Sequence, residues 1–101
     1  MSLQEKIDNL ETDLHLMGRL VLDSLVDGVR ALEDKDVNRA LETIEKDDEI
    51  DNSYLKIDED WIELMATEQL VATDLRLSTS ILQASLHLER LGDLAVYLGK
   101  T

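Results

Sequence analysis

The chain has 101 residues and a net charge of −13, because 23 Asp and Glu residues outnumber 10 Lys and Arg residues. With no cysteine, it can hold no disulfide, no thiolate-bound metal and no cysteine nucleophile. This acidity disfavours nucleic acids and anionic lipid surfaces as partners and favours cations and basic protein surfaces.

The composition predicts a helical protein. The sequence contains no proline and only four glycines, the residues that most often interrupt regular structure. No segment is long and apolar enough to enter a membrane, and no secretory signal opens the sequence. We therefore expect one all-α domain over residues 1–101, located in the cytoplasm.

The first predicted helix runs from about Leu3 to Leu32, with apolar residues recurring at steps of three and four. The segment from Glu33 to Asp36 interrupts this pattern, and Asp34 or Asp36 could cap the following helix by accepting its free N–H groups. A second helix is predicted from about Val37 to Thr67.

A second interruption falls at Thr67–Gln69, and the third helix is predicted from about Leu70 to Gly99. Connections this short force successive helices to run antiparallel. The expected fold is an antiparallel bundle of three long helices.

Helices two and three each carry more apolar surface than one bundle needs. On helix two, one stripe comprises Val37, Leu41, Ile44, Leu55 and Ile62, and another comprises Ile50, Ile57, Trp61 and Leu64. Helix three has a heptad of Leu77, Ile81, Ala84, Leu88, Leu91, Ala95 and Leu98, and a second stripe of Val71, Leu75, Leu82, Leu86 and Val96. The surplus predicts a partner against helices two and three; wide stripes on an isolated bundle are the alternative.

Four carboxylates stand out from the other acids. The pairs Asp23 with Asp27 and Glu45 with Glu49 lie off the apolar stripes, and we interpret them as surface charge. Asp47 and Asp51 instead lie within or beside a stripe of helix two, and Glu89 and Asp93 interrupt a stripe of helix three. Like-charged groups on an apolar surface are costly unless a cation neutralises them.

Antiparallel packing would bring the two acidic pairs to the same level of the bundle. We therefore predict a metal site formed by Asp47, Asp51, Glu89 and Asp93. Oxygen ligands favour Fe, Mn or Mg ions, with Zn less suited because it prefers Cys and His. The alternative is that these acids are solvated, or form ion pairs with Arg76 and Arg90.

Catalysis is not expected. The sequence has no glycine-framed nucleophile and no phosphate-cradling glycine loop. His15 and His87 are interpreted as surface residues, and neither follows a Glu at the Glu-x-x-His spacing of di-iron carboxylate enzymes. A metal-free acidic interaction module remains an alternative, and a carboxylate-bridged metalloenzyme is a less favoured one.

Three stretches resemble the PhoU family of phosphate-uptake regulators. They are Ile44–Asp51, Val71–Leu77 and Leu88–Ala95, with Met17-Gly18 as a further match. The resemblance implies a three-helix bundle whose E/D-x-x-x-D motifs hold metal clusters. It also implies negative regulation beside a phosphate ABC transporter, with the transporter ATPase or a sensor histidine kinase as partner.

Three features depart from the family pattern. Family members carry two repeats where this sequence has one, Leu70 stands where proline is frequent, and His87 stands where an acid is common. Either the sequence is a fragment of a two-repeat protein, or two chains supply the pair as a homodimer through the surplus apolar faces of helices two and three. Salt should then strengthen association by screening the repulsion between two acidic chains.

Overall fold

A computed structural model describes residues 1–100 and contains three long helices. Helix α1 spans Leu3–Asp34, α2 spans Val37–Thr67 and α3 spans Ala72–Lys100. No strand occurs among the described residues, so the predicted all-α fold is confirmed. The bundle measures 51 × 19 × 16 Å, and each helix packs against both of the others.

Helix α1 is held at both ends by local hydrogen bonds. At its start, the Ser2 hydroxyl accepts from the backbone N–H of Glu5 at 3.1 Å, and the Glu5 carboxylate accepts from Ser2 in return. At its end, Lys35 adopts a left-handed conformation with φ 52° and ψ 40°, and its N–H donates to the Ala31 carbonyl. This reversal lets the chain turn within two residues.

The first predicted turn is confirmed and the second lies slightly later than expected. Asp36 caps α2 by accepting from the N–H groups of Asn38 and Arg39. After α2, Glu68 is extended and α3 begins only at Ala72, not at Leu70 as the sequence suggested. Leu70 is half-buried and packs on the core from outside any helix.

Only one of the two apolar stripes on α2 is buried in the core. Ile50, Ile57 and Leu64 are buried, whereas the other stripe, from Val37 through Ile62, is exposed. Buried partners on the remaining helices include Leu10, Met17, Val21 and Ile81. The predicted apolar surplus is therefore present at the surface. Helix α1 adds to it with exposed Leu16, Leu22 and Val26, which lie off its stripe, and Val29 and Leu32, which the periodicity placed on its buried face, are exposed as well.

Small residues on α3 set its distance and register against α2. A β-carbon on Gly92 would contact Ile50, and one on Gly99 would lie 2.9 Å from Oγ1 of Thr43. These two pairs are seven residues apart on both helices, and Ser78 and Ser85 continue the spacing on α3 as buried residues. A heptad of small residues on one helix thus accommodates a heptad of larger residues on the other.

Candidate metal centre

The register of the core aligns the acidic residues of α2 and α3. Asp47 and Asp51 lie one turn apart on α2, on either side of buried Ile50. On α3, Asp93 follows Gly92, the residue that contacts Ile50. The pairing that buries Ile50 therefore also places these carboxylates at one level.

Three of the four predicted ligands converge. Asp47, Asp51 and Asp93 each offer a carboxylate oxygen, and these oxygens lie within 4.8 Å of one another. We call these three residues the acid cluster. Asp47 and Asp51 are half-buried and Asp93 is exposed, so the cluster lies in the α2–α3 groove and opens to solvent.

Glu89 flanks the acid cluster without joining the group of converging oxygens. It lies one turn before Asp93 on α3, is half-buried, and experiences the charges of all three cluster residues. His87 is exposed and is not a member of the group either.

Burial and like-charged neighbours raise the pKa values of Asp47, Asp51 and Glu89. Burial raises the pKa of Asp47, and the charges of Asp51, Asp93 and Asp48 raise it further. Burial likewise raises the pKa of Asp51, with Asp93 and Asp48 adding to the effect. The pKa of Glu89 is raised by burial first and then by the cluster charges. Each shift records that full ionisation is unfavourable here without a compensating positive charge.

One oxygen of the cluster has no hydrogen-bond donor. Oδ1 of Asp47 is buried and unpartnered, and it faces the position of the missing Gly92 side chain at 3.8 Å. Asp93 can hydrogen-bond Asp47 only if one of the two carboxyls carries a proton, since ionised carboxylates are acceptors alone. A proton or a metal cation can meet this need.

The donor set fits a hard cation. Two oxygens on opposite sides of an ion with bonds of about 2.0–2.4 Å are about 4–5 Å apart, which matches the spread of the cluster oxygens. All three donors are carboxylates, as Mg, Mn or Fe ions prefer, and neither cysteine nor histidine is available for a closed zinc site. Solvent access to Asp93 leaves room for water or an external ligand.

Another acid, Asp27, was misjudged from the sequence as surface charge. Its side chain is only 14% exposed, and it forms ion pairs with Lys46 and Arg39 of α2. The hydrogen bond from Lys46 to Asp27 raises the pKa of the lysine, despite an opposing effect of burial. The available signal was the presence of two basic residues seven apart on the neighbouring helix.

The chain matches a known family over most of its length. Residues 14–101 match the family model described as the PhoU domain. A crystal structure of PhoU from Pseudomonas aeruginosa superposes with a TM-score of 0.95 at 34% identity, covering 98% of this chain and 47% of that one. No helix among the described residues has the length and apolarity needed to cross a membrane.

Two sequence relatives show the same relationship. The phosphate-specific transport system accessory protein PhoU of Serratia marcescens is 33% identical over 95% of this chain and 40% of its own length. The homolog from Clostridium acetobutylicum is 37% identical over 96% of this chain and 45% of its own length. The chain therefore spans less than half the length of these curated relatives.

Proposed function

This chain belongs to the PhoU family, and we propose that it is a metal-binding accessory protein that regulates phosphate uptake. The proposed regulatory role is supported by relatives that are named accessory proteins of a phosphate-specific transport system. In this proposal it acts in the cytoplasm as a negative regulator and not as an enzyme, through contacts with other proteins.

The metal site is proposed at the acid cluster with Glu89 as a fourth ligand. The observation that supports it is the convergence of three carboxylates, which offer oxygens within 4.8 Å of one another. One of the three, Asp47, also has a buried oxygen without a hydrogen-bond donor. A bound Fe, Mn or Mg ion would supply positive charge and open coordination positions toward solvent. The chain's own residues would hold the ion at a fixed level between α2 and α3.

The experiment is a calorimetric titration of Mn²⁺ and Fe²⁺ into protein stripped with chelator. We expect binding by the wild type and a loss of at least about tenfold in affinity in the double variant Asp51→Ala with Glu89→Ala. Bound ion should also stabilise the fold, by about 2.7 kcal/mol at a hundredfold excess over Kd. Thermal unfolding with and without Mn²⁺ measures this second effect.

A matched control uses acids on the same helix outside the cluster. Glu45 and Glu49 are exposed and one turn apart, so Glu45→Ala with Glu49→Ala removes the same charge from elsewhere on the surface. We expect its Mn²⁺ affinity to stay within about threefold of that of the wild type, because only the long-range attraction of the two removed charges is lost. Equal binding by the Asp51/Glu89 double variant and the wild type would show that the site is wrong.

The partner is proposed to be the transporter ATPase or its sensor histidine kinase. The net charge of −13 favours a basic surface on that partner, and the exposed stripe of α2 provides apolar contacts next to the acid cluster. Pull-down with each purified candidate, in Mn²⁺ and in chelator, tests this. Capture of neither candidate in either condition would contradict the assignment.

A further inference from the structure

The exposed stripe of α2 has the spacing of a seam that packs against another helix. Leu41 and Leu55 are 53% exposed and Ile62 is 54% exposed, and Val37 and Ile44 are exposed as well. Leu55 lies fourteen residues after Leu41 and seven before Ile62, and Val37 and Ile44 are seven apart. Apolar residues that recur at multiples of seven along an exposed helix are typical of contact with a second helix.

Acids occupy the interruptions of this seam. Asp48 takes the heptad position midway between Leu41 and Leu55, and Asp51 and Asp58 take the next two positions of the other heptad series. Asp48 is exposed, and Asp51 and Asp58 are half-buried. Because a charge inside a helix contact needs a partner of opposite sign, these positions favour a helix that has Lys or Arg opposite them.

Further negative charge borders the seam. Three exposed acids follow its edge nearer α1 at helical spacing: Glu45, Glu49 and Glu63. The three bases of α2 do not offset them, because Arg39, Lys46 and Lys56 are all held in ion pairs with acids of α1. The exposed stripe of α2 is therefore an apolar surface framed by uncompensated carboxylates.

This charge pattern identifies the class of partner. A second copy of the chain would bring its own acids against Asp48 and its neighbours, so like charges would meet within the contact. An anionic membrane surface would be repelled for the same reason. A helix whose own apolar stripe lies between rows of Lys and Arg would complement both the leucines and the acids.

The size of the stripe indicates a reversible contact. From Val37 to Ile62 it is about 38 Å long at the rise of an α-helix, which accommodates a partner helix of about 25 residues. A helix about 10 Å wide would cover roughly 400 Å² of α2, or roughly 800 Å² when both surfaces are counted. This is below the approximately 1,000 Å² of stable specific interfaces, so the contact would form and dissociate readily.

From the seam, its acids and this size, we propose that the exposed stripe of α2 binds a basic amphipathic helix of a partner protein. The proposal rests on the proposed function, in which the chain acts through contacts with other proteins, and it names the chemistry of the segment that makes the contact. The sequence predicted that a second copy covers the apolar surplus of helices two and three. The acids of the seam favour a basic helix on α2 instead.

A synthetic peptide tests the proposal with the full chain in chelator. The probe has about 22 residues, within the length of the stripe, with leucines at heptad spacing, lysines at the flanking positions and no tryptophan. Trp61 is the single tryptophan of the chain and precedes Ile62, so its emission reports occupation of the stripe. We expect a shift of this emission with a Kd below about 100 μM.

A peptide with Glu in place of every Lys is the first control, and it should leave the emission unchanged. Binding of the lysine peptide weaker than about 1 mM would overturn the proposal. The anisotropy of a fluorescein-labelled peptide provides a second readout of affinity that does not depend on Trp61.

The apolar part of the contact is tested by Leu55→Gln with Ile62→Gln. Glutamine is uncharged and favours helix, so the net charge and the helical circular dichroism should be unchanged. Peptide affinity should fall at least about tenfold, because two apolar side chains of the seam are lost. Leu16→Gln with Leu94→Gln, at exposed leucines outside the stripe, is the matched control and should stay within about threefold. Equal affinities of the two double variants would contradict the assignment.

The acidic part is tested by Asp48→Asn with Glu59→Gln, two exposed acids of the same face of α2. We expect peptide affinity to fall at least about fivefold and to depend less on salt. Asp23→Asn with Glu33→Gln removes the same net charge from exposed positions of α1 and should change the affinity less than about twofold. An equal loss in both variants would attribute binding to net charge and overturn the proposal.

Two further measurements separate the other occupants. Phosphatidylcholine vesicles that shift Trp61 emission when the peptide does not would assign the stripe to a lipid surface. Sedimentation that shows self-association abolished by Leu55→Gln with Ile62→Gln would assign it to a second copy, and either result would overturn the proposal. Because the peptide is titrated in chelator, its failure leaves the Mn²⁺ titration unaffected, and failure of the Mn²⁺ titration leaves peptide binding standing.

Discussion

Gly92 of α3 lies directly against Ile50 of α2. A β-carbon on Gly92 would be 3.1 Å from Cδ1 and 3.3 Å from Cγ2 of Ile50, and 3.8 Å from Oδ1 of Asp47. Ile50 is fully buried, and Gly92 stands between Glu89 and Asp93 in the chain. Because Gly92 has no side chain, α2 and α3, the helices that carry the acid cluster, can pack closely at this level.

We expect Gly92→Ala to destabilise the fold by about 1 kcal/mol. Alanine is favoured over glycine in a helix by about 1 kcal/mol, but forcing Ile50 aside costs about 1–3 kcal/mol. The wider spacing should also weaken Mn²⁺ binding at the acid cluster. Urea unfolding in chelator gives the first effect and calorimetry the second; unchanged values in both would contradict this account of Gly92.

Alanine substitutions at the two glycines of α1 should change the stability in opposite directions. A β-carbon on Gly28 would lie 2.6 Å from the backbone oxygen of Ala95, which cannot move without shifting α3. We expect Gly28→Ala to cost about 3 kcal/mol. On Gly18 the nearest atom is a Leu88 methyl at 4.0 Å, so Gly18→Ala should gain up to about 1 kcal/mol.

Urea unfolding in chelator measures both Gly18→Ala and Gly28→Ala. The comparison separates close helix packing from helix propensity, because both positions lie within α1 and undergo the same chemical change. Equal stabilities of the two variants would show that the α1–α3 distance does not depend on Gly28.

Asp51→Asn should stabilise the metal-free protein at pH 7, by about 0.5 kcal/mol from relief of like-charge contacts. Burial and neighbouring charges raise the pKa of Asp51, so the folded state binds its proton more tightly than the unfolded chain. The resulting cost is present above the raised pKa and disappears as the pH falls through it. The advantage of the variant should therefore shrink below pH 7.

The measurement for Asp51→Asn is urea unfolding in chelator at pH values between about 7 and 4, the range above the ordinary aspartate pKa. Glu49→Gln is the control, since Glu49 is an exposed acid on the same helix and the substitution changes the net charge equally. If Glu49→Gln stabilises the protein as much as Asp51→Asn does, the effect is due to net charge and not to the position of Asp51. With saturating Mn²⁺, the wild type should become more stable to urea than Asp51→Asn.

Asp27→Asn should destabilise the protein by about 1 kcal/mol, even though it lowers the net negative charge. It removes the charged partner of Lys46 and Arg39 at a half-buried site. Asp23→Asn, one turn earlier on α1 and exposed, should stay within about 0.5 kcal/mol of the wild type. Thermal unfolding at low and high salt checks this, and the Asp27→Asn difference should narrow as salt is added.

The helices and the acid cluster were largely predictable from sequence, because both depend on periodicity. Steps of three and four located α1 and α2, and one-turn spacing identified Asp47 with Asp51. Periodicity could not decide which stripe of α2 is buried, because Ile50 and Leu55 are equally apolar. Nor could it show that Glu89 flanks the acid cluster without joining the converging oxygens, since periodicity places a residue on a face of the helix and not its carboxylate in space.

Buried polar residues were the other gap in the sequence interpretation. Thr43, Ser78 and Ser85 are fully buried at the helix contacts, although a hydropathy pattern treats them as surface residues. Each hydroxyl donates to the carbonyl three residues earlier in its own helix. This local bond satisfies the hydroxyl, so that a small side chain can occupy a close contact at little cost.

The seven-residue spacing shared by α2 and α3 limits how these helices can slide. A shift that restores small residues opposite large ones must cover seven residues, about 10.5 Å along the axis. After a smaller shift, Ile50 would face a residue next to Gly92 in place of Gly92 itself, and the side chain of that residue would clash with it. The two helices therefore have one register that brings Asp47 and Asp93 together, and the next permitted register would separate them. We expect no intermediate arrangement in which the carboxylates are only partly aligned.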